Sequence, residues 1–184
     1  MRRISIVGTS GAGKSTLAAA VARKLDVPHV ELDALYHQAG WTKAPPEDFR
    51  AAVGALIAAE AWVVDGNYST ALDLVWARAD AVVFLDLPRR QVMRQLTWRT
   101  LWRGATRQEL WNGNRESLRN LLSLDPRRSV LAWAWATYDR NRQRYDEALA
   151  DPANGHLEFV RLRSRRAIAA FLAGLDPATA EVAS

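Results

Sequence analysis

Short runs of apolar, β-branched residues alternate along the chain with longer stretches in which apolar residues return every three or four positions. The runs are Ile4–Val7, Val30–Leu32, Trp62–Val64, Ala81–Leu85 and Leu157–Leu162. Their length and branching predict buried β-strands. Between the first two, Leu17, Val21 and Leu25 mark one face of a helix that closes at Asp26-Val27-Pro28. Pro46 opens a second helix, along which Phe49, Val53, Leu56, Ile57 and Glu60 trace one side. A third helix follows Pro88, and a fourth runs from Ser164 to about Gly174. Strands and helices in alternation predict parallel pairing through right-handed crossovers, hence a three-layer α/β fold.

One stretch breaks the alternation. From about Trp98 to Leu149 there is no strand-like run, and five of the eight tryptophans fall there. Asn112-Gly113-Asn114 predicts a turn inside it, and Asp125-Pro126 is placed to cap a long helix running towards Leu149. The expectation is a single domain over residues 1–176, carrying a helical insertion at about 98–150. Residues 177–184 are expected to form a flexible tail.

The first strand leads directly into Gly8-Thr-Ser-Gly-Ala-Gly13-Lys14-Ser15, after which the first helical pattern begins. This is the spacing G-x-x-x-x-G-K-[ST] in the strand-to-helix context that a phosphate-binding loop needs. Glycines at 8, 11 and 13 allow backbone angles and close approaches that a side chain would block. Amide groups over residues 11–15 can then converge on a phosphate, helped by the positive end of the helix dipole. Gly8, Ser10, Gly11, Ala12, Gly13, Lys14, Ser15 and Thr16 are the expected nucleotide-binding residues. Lys14 is assigned to the β- and γ-phosphates of ATP, and the Ser15 hydroxyl to Mg²⁺.

Charge sharpens the picture. The formal net charge is +5, yet residues 89–144 hold thirteen arginines against four acids, so the rest of the chain is net acidic. A basic block of this kind calls for an anionic partner: nucleotide phosphates, a phosphorylated substrate or nucleic acid. The sequence has no cysteine and no run of eighteen apolar residues. Disulfides and thiolate metal sites are thereby excluded, and a cytoplasmic protein with no membrane partner is expected. Nothing in the residues indicates an oligomeric state.

Three further landmarks are acidic strand ends: Glu31-Leu32-Asp33, Val63-Val64-Asp65-Gly66-Asn67-Tyr68 and Phe84-Leu85-Asp86-Leu87-Pro88. In an open parallel sheet such carboxyl ends face one ligand-binding crevice. The order of phosphate loop, strand-end Asp, Asp-Gly, Leu-Asp-x-Pro and arginine helix resembles the adenylate kinase and shikimate kinase superfamily. More narrowly, Leu32-Asp33-Ala-Leu-Tyr36 with Gly40-Trp41, Trp62-Val-Val-Asp65-Gly-Asn-Tyr68, and Glu109-Leu-Trp111-Asn-Gly-Asn114-Arg115-Glu116 resemble the bacterial adenylate-kinase-like group called topology modulation proteins (FlaR type). Residues 3 to 172 share in the likeness. It implies a P-loop nucleotide kinase fold, with a five-stranded parallel sheet in the order 2-3-1-4-5 and a helical lid. It implies ATP- and Mg²⁺-dependent phosphoryl transfer to a small molecule or nucleotide. It does not imply AMP as acceptor, because Asn67-Tyr68-Ser69 stands where true adenylate kinases have Phe-Pro-Arg.

By the same likeness, Asp65 orients water around Mg²⁺. Asp86 also follows an apolar run, as either a second candidate for the metal or a helix-start residue. Asp33 is the candidate to orient an acceptor hydroxyl and receive its proton. Tyr36, Trp41 and Tyr68 are candidate aromatic walls for the acceptor. Arg94 and Arg99 resemble the paired arginines that lead into an adenylate kinase lid; with Arg103, Arg107 and Arg115 they are candidates for the transferring phosphoryl group. Arg163, or Ser164 beside it, would lie against the adenine. The three histidines stand singly, at no metal-ligand spacing, and are expected to pack or face solvent. The alternative function is that of an ATP-binding nucleic-acid protein, with the Arg/Trp segment as its contact surface.

Overall fold

A computed structural model of the chain describes residues 1–106, 109–114, 125 and 129–176. It contains a five-stranded, all-parallel sheet in the order β2-β3-β1-β4-β5. The strands are β1 (Arg3–Gly8), β2 (His29–Glu31), β3 (Trp62–Asp65), β4 (Ala81–Leu85) and β5 (Glu158–Leu162). The helices are α1 (Lys14–Leu25), α2 (Leu32–Tyr36), α3 (Pro46–Ile57), α4 (Ser69–Arg78), α5 (Arg89–Thr106), α6 (Val130–Ala150) and α7 (Arg165–Gly174).

The central strands β1, β3 and β4 are buried almost throughout because helices cover both faces of the sheet. Alternate residues of one strand feed two cores. Ile4 and Ile6 of β1, Val63 of β3, and Val83 and Leu85 of β4 pack with Leu17, Val21 and Leu25 of α1 and with the inner side of α7. Val7, Val64, Val82 and Phe84 point the other way, onto Phe49, Val53 and Ile57 of α3, Val75 and Trp76 of α4, and Tyr145 of α6. Phe49, Val53 and Ile57 lie four residues apart, which puts all three on the inner face of α3. Pro46 occupies the first turn of that helix, followed by Glu47 and Asp48, where a rigid φ and acidic side chains both favour initiation.

The observed β2 is shifted from the run Val30–Leu32. Leu32 begins α2 instead, with its side chain seated over Gly66, where an added Cβ would lie 2.7 Å from the Leu32 Cβ. Asp33 thus occupies the first turn of a short helix rather than a strand end. The long helix α6 starts at Val130, with the Ser129 hydroxyl accepting from the Ala132 amide at 3.3 Å. Ser129, not Asp125, is therefore the cap; Asp125 accepts the Ser129 amide through its carbonyl at 2.9 Å. Two buried tyrosines tie α6 to the sheet. The Tyr138 hydroxyl donates to the Leu87 carbonyl at 2.8 Å, and Tyr145 donates to Asn67 Oδ1 at 3.0 Å.

Candidate active site

All five strands run in one direction, so the loops after β1, β2 and β3 open at the same edge of the sheet. They enclose a cleft of about 1290 Å³ together with α5, α6 and α7. That volume exceeds the roughly 300–1,000 Å³ of a single small-ligand pocket, which leaves room for two ligands side by side.

The phosphate loop forms the floor. Gly8, Gly11 and Gly13 all take positive φ, at 151°, 86° and 97°. Gly8 is held from behind: a Cβ there would lie 2.9 Å from the Leu85 carbonyl oxygen, and its own amide donates to Asn67 Oδ1 at 3.1 Å. The Asn67 side-chain amide donates back to the Gly8 carbonyl. Gly11 touches α5, since a Cβ would meet the Leu96 Cβ at 2.7 Å. Around Gly13 there is open space, as a backbone that must approach a phosphate requires. The Ala12 amide donates to the Thr9 carbonyl at 3.0 Å and closes the loop's own turn. Lys14, Ser15 and Thr16, whose amides open α1 without an intrahelical acceptor, line the cleft.

Lys14 reaches back towards the Thr9 carbonyl, 3.5 Å away. Burial pushes its ammonium below the usual lysine value, the carboxylates of Asp33 and Asp65 pull it up, and Arg99 pushes it down. Such a cation, drawn partly out of water beside another, gains most when an anion arrives. Asp65 ends β3 next to the phosphate-loop strand and is buried. Its Oδ2 accepts no hydrogen bond from any described group; His29 Nε2 stands 3.7 Å away. The Asp65 carboxylate holds His29 above the usual histidine value, against the effect of burial, and Glu31 adds to it. A buried carboxylate oxygen without a donor, lining the same cleft as the exposed Ser15, fits a Mg²⁺ site completed by phosphates and water. No group of three or more acidic or histidine ligands for a metal occurs among the described residues.

Asp86 belongs elsewhere. Its buried carboxylate pairs with Arg142 Nε at 2.8 Å, Arg161 at 2.9 Å and Arg163 Nε at 3.5 Å. Arg161 also pairs with Asp146 of α6 at 2.5 Å. Asp86 thus joins β4, β5 and α6 and is absent from the cleft wall.

Helix phase sorts the arginines. On α5, Val92, Leu96 and Thr100 are buried, and the row beside them, Gln95, Arg99 and Arg103, lines the cleft. Arg94 is exposed and not part of the lining. Arg107 and Arg115 lie outside the described residues. Arg163 is largely exposed and turned to Asp86, and Ser164 caps α7 by accepting the Ala167 amide at 3.1 Å. Arg165, Ile168 and Leu172 of α7 line the cleft instead.

The opposite end is built from β2, α2 and the turn after β3. Asp33 Oδ1 accepts the Tyr68 hydroxyl at 2.5 Å, and His37 Nε2 lies 3.3 Å from the same hydroxyl. Burial, followed by the nearby Asp33 carboxylate, raises Tyr68 well above the ordinary phenol range, so it remains a donor. Tyr36 stands behind, packed on Tyr68 at 4.3 Å and on Phe49 at 5.4 Å between ring centres. Trp41 and Tyr68 line the cleft, and so does His37, which stacks on Trp111 at 6.3 Å. Burial lowers His37 and so favours its neutral form; the Asp33 carboxylate opposes this and Lys43 assists it. The Asn-Gly-Asn turn closes this end. Asn114 Oδ1 accepts the Trp41 amide at 2.8 Å, Asn112 donates to the His37 carbonyl at 2.6 Å, and Trp111 Nε1 donates to Glu31 Oε2 at 3.0 Å. Asn67, His37, Glu31 and Trp111 received no chemical role from sequence. The Trp-Asn-Gly-Asn run, with Asn112 and Gly113 both at positive φ, was the signal available for the last.

No protein-family model matches the chain, and no curated protein matches it significantly. Solved structures do. The shikimate kinase of Bacteroides thetaiotaomicron aligns over 94% of this chain and 94% of its own, with TM-score 0.51 and 18% identity. The shikimate kinase of Aquifex aeolicus aligns over 97% and 99%, with TM-score 0.54 and 14% identity. The chain has the P-loop kinase fold. No described helix is long and apolar enough to cross a membrane.

Proposed function

We propose that this chain is an ATP- and Mg²⁺-dependent phosphotransferase acting on a hydroxyl group of a small molecule or nucleotide. The observation that carries the reading is one continuous cleft walled by the phosphate loop, Asp65, Arg99 and Asp33. The phosphates would lie over residues 10–16 with Lys14 against the β- and γ-oxygens. Ile168 and Leu172, with Arg165 beside them, give the nucleoside an apolar bed. Ser15 Oγ would hold Mg²⁺ directly and Asp65 through water. Bound Mg²⁺ supplies neutralisation of the charge on the β- and γ-phosphates.

Asp33 supports the transfer step. Tyr68 fixes its Oδ1, and Oδ2 can accept the acceptor's hydroxyl proton. As that proton moves, the acceptor oxygen bonds to the γ-phosphorus, the bond from phosphorus to the β–γ bridging oxygen breaks, and ADP leaves. Arg99 and Arg103 oppose the negative charge that spreads over the equatorial oxygens. Residues 98–150 act as the lid: Trp111, Ser129 and Trp133 already wall the cleft, and closure there would keep water from competing.

The likeness to the adenylate-kinase-like topology modulation group rests on the sequence runs alone, and nucleic-acid binding is not favoured. Arg89 and Arg142 of the basic block are engaged with Asp139 and Asp86, and Arg99 and Arg103 face inward. The test is a screen of nucleosides, nucleotides and small alcohols for acceptor-dependent ADP release. Release that never exceeds a slow acceptor-independent rate overturns the kinase reading.

A further inference from the structure

The two ends of the cleft differ in charge. Among the described residues, the lysines and arginines lining it come from the phosphate loop, α5 and α7: Lys14, Arg99, Arg103 and Arg165. The lining residues between 29 and 68 include no cation and three carboxylates, Glu31, Asp33 and Asp65. Asp65 faces the phosphate-loop side, where Lys14 and Mg²⁺ would balance it. Glu31 and Asp33 form no ion pair with a described lysine or arginine; their contacts are the Trp111 ring N–H and the Tyr68 hydroxyl. Trp41, Tyr68, Trp111 and His37 supply flat apolar surface around them.

A carboxylate or phosphate placed here would meet two like charges inside a partly desolvated wall, where repulsion is several times stronger than in water. An uncharged or protonated flat ring would meet aromatic faces and acceptors instead. Resting on the kinase reading above, we propose that the acceptor is a non-acidic alcohol bearing a flat ring, of the nucleoside class, and that phosphorylated and carboxylated acceptors are excluded. The fold neighbours are kinases of shikimate, itself a carboxylate; among the described residues of this chain, the wall at this end carries Glu31, Asp33 and His37 and no lysine or arginine.

Calorimetry tests this without requiring turnover. The full chain is loaded with Mg²⁺ and a non-hydrolysable ATP analogue, then titrated with the four ribonucleosides, their 5′-monophosphates and shikimate. At least one ribonucleoside should bind about tenfold or more tightly than its monophosphate and than shikimate. Glu31→Gln, which keeps an acceptor for Trp111, should shrink that ratio about fivefold. If Glu31→Gln does not fold, Trp41→Ala should weaken the nucleoside about tenfold and leave the weak monophosphate binding nearly unchanged. A monophosphate or shikimate binding as tightly as any nucleoside overturns the proposal, as does a ratio that Glu31→Gln leaves intact. Binding of the analogue with no nucleoside bound overturns the nucleoside class and spares the kinase reading. Failure of the analogue itself to bind overturns both.

Discussion

At the residue scale, the decisive positions are those where chemistry and backbone geometry coincide. Asp33→Asn keeps the shape and the Tyr68 contact yet removes the proton acceptor. Transfer should fall about 10²–10⁴-fold while Mg²⁺–ATP affinity is unchanged, measured by single-turnover kinetics beside calorimetry. Full retained rate with every active acceptor would remove Asp33 from the mechanism. Gly11→Ala places a Cβ at φ 86°, and 2.7 Å from the Leu96 Cβ. A loss of about 1–3 kcal/mol in denaturant unfolding is expected from the combined strain. Glycine roles were legible in sequence because the spacing of the motif carries them. The part of His37, Asn67 and Glu31 was not: each acts through a neighbour 31 to 80 positions away, and no local period records such a meeting. The choice between Arg94 and Arg99 was within reach. Val92, Leu96 and Thr100 define the buried stripe of α5, which turns Arg99 and Arg103 to its flank and leaves Arg94 exposed.

At the element scale, strands and helices were legible because a sheet covered on both sides must be built from continuous apolar runs. Boundaries were less so. Leu32 is apolar enough for a strand, yet its packing on Gly66 starts α2 one residue after Glu31. Two anchors hold elements in place and can be tested. Tyr145→Phe breaks the hydroxyl bond to Asn67 and so the link from α6 to the phosphate loop. A stability loss of about 0.5–1.5 kcal/mol is expected in thermal or denaturant unfolding; an unchanged midpoint would show that the link contributes nothing. Asp80 joins the start of β1 to β4, accepting the Arg2 and Arg3 amides at 2.8 and 2.9 Å and the Arg3 guanidinium at 2.6 Å. Burial alone would raise its carboxyl, but the Arg3 side chain and the two amides outweigh that and hold it below the usual range. A depressed folded-state value stabilises the fold above the unfolded carboxylate value. That stabilisation fades as pH falls through the lower, folded value. Asp80→Asn should therefore be less stable at pH 7 by about 1–2 kcal/mol, and the deficit should narrow in strong acid. A deficit independent of pH would contradict the assignment.

At the scale of the whole molecule, the parallel sheet followed from the alternation of elements, its strand order from the kinase resemblance, and the cleft from the strand-end acids. The basic block was legible as charge but not as arrangement. Part of it, Arg89 and Arg142, is engaged with Asp139 and Asp86, and the α5 row turns to the cleft. Sequence alone cannot show which cations meet internal acids, because the partners lie up to 56 positions apart. The central claim is that the cleft binds Mg²⁺–ATP through the phosphate loop, and calorimetric titration of the wild-type chain against Lys14→Ala tests it most directly. One equivalent of nucleotide should bind the wild type and none the variant, with the apo unfolding midpoint of the variant nearly unchanged. Absence of binding to the wild type, or equal binding to a folded Lys14→Ala chain, would contradict it.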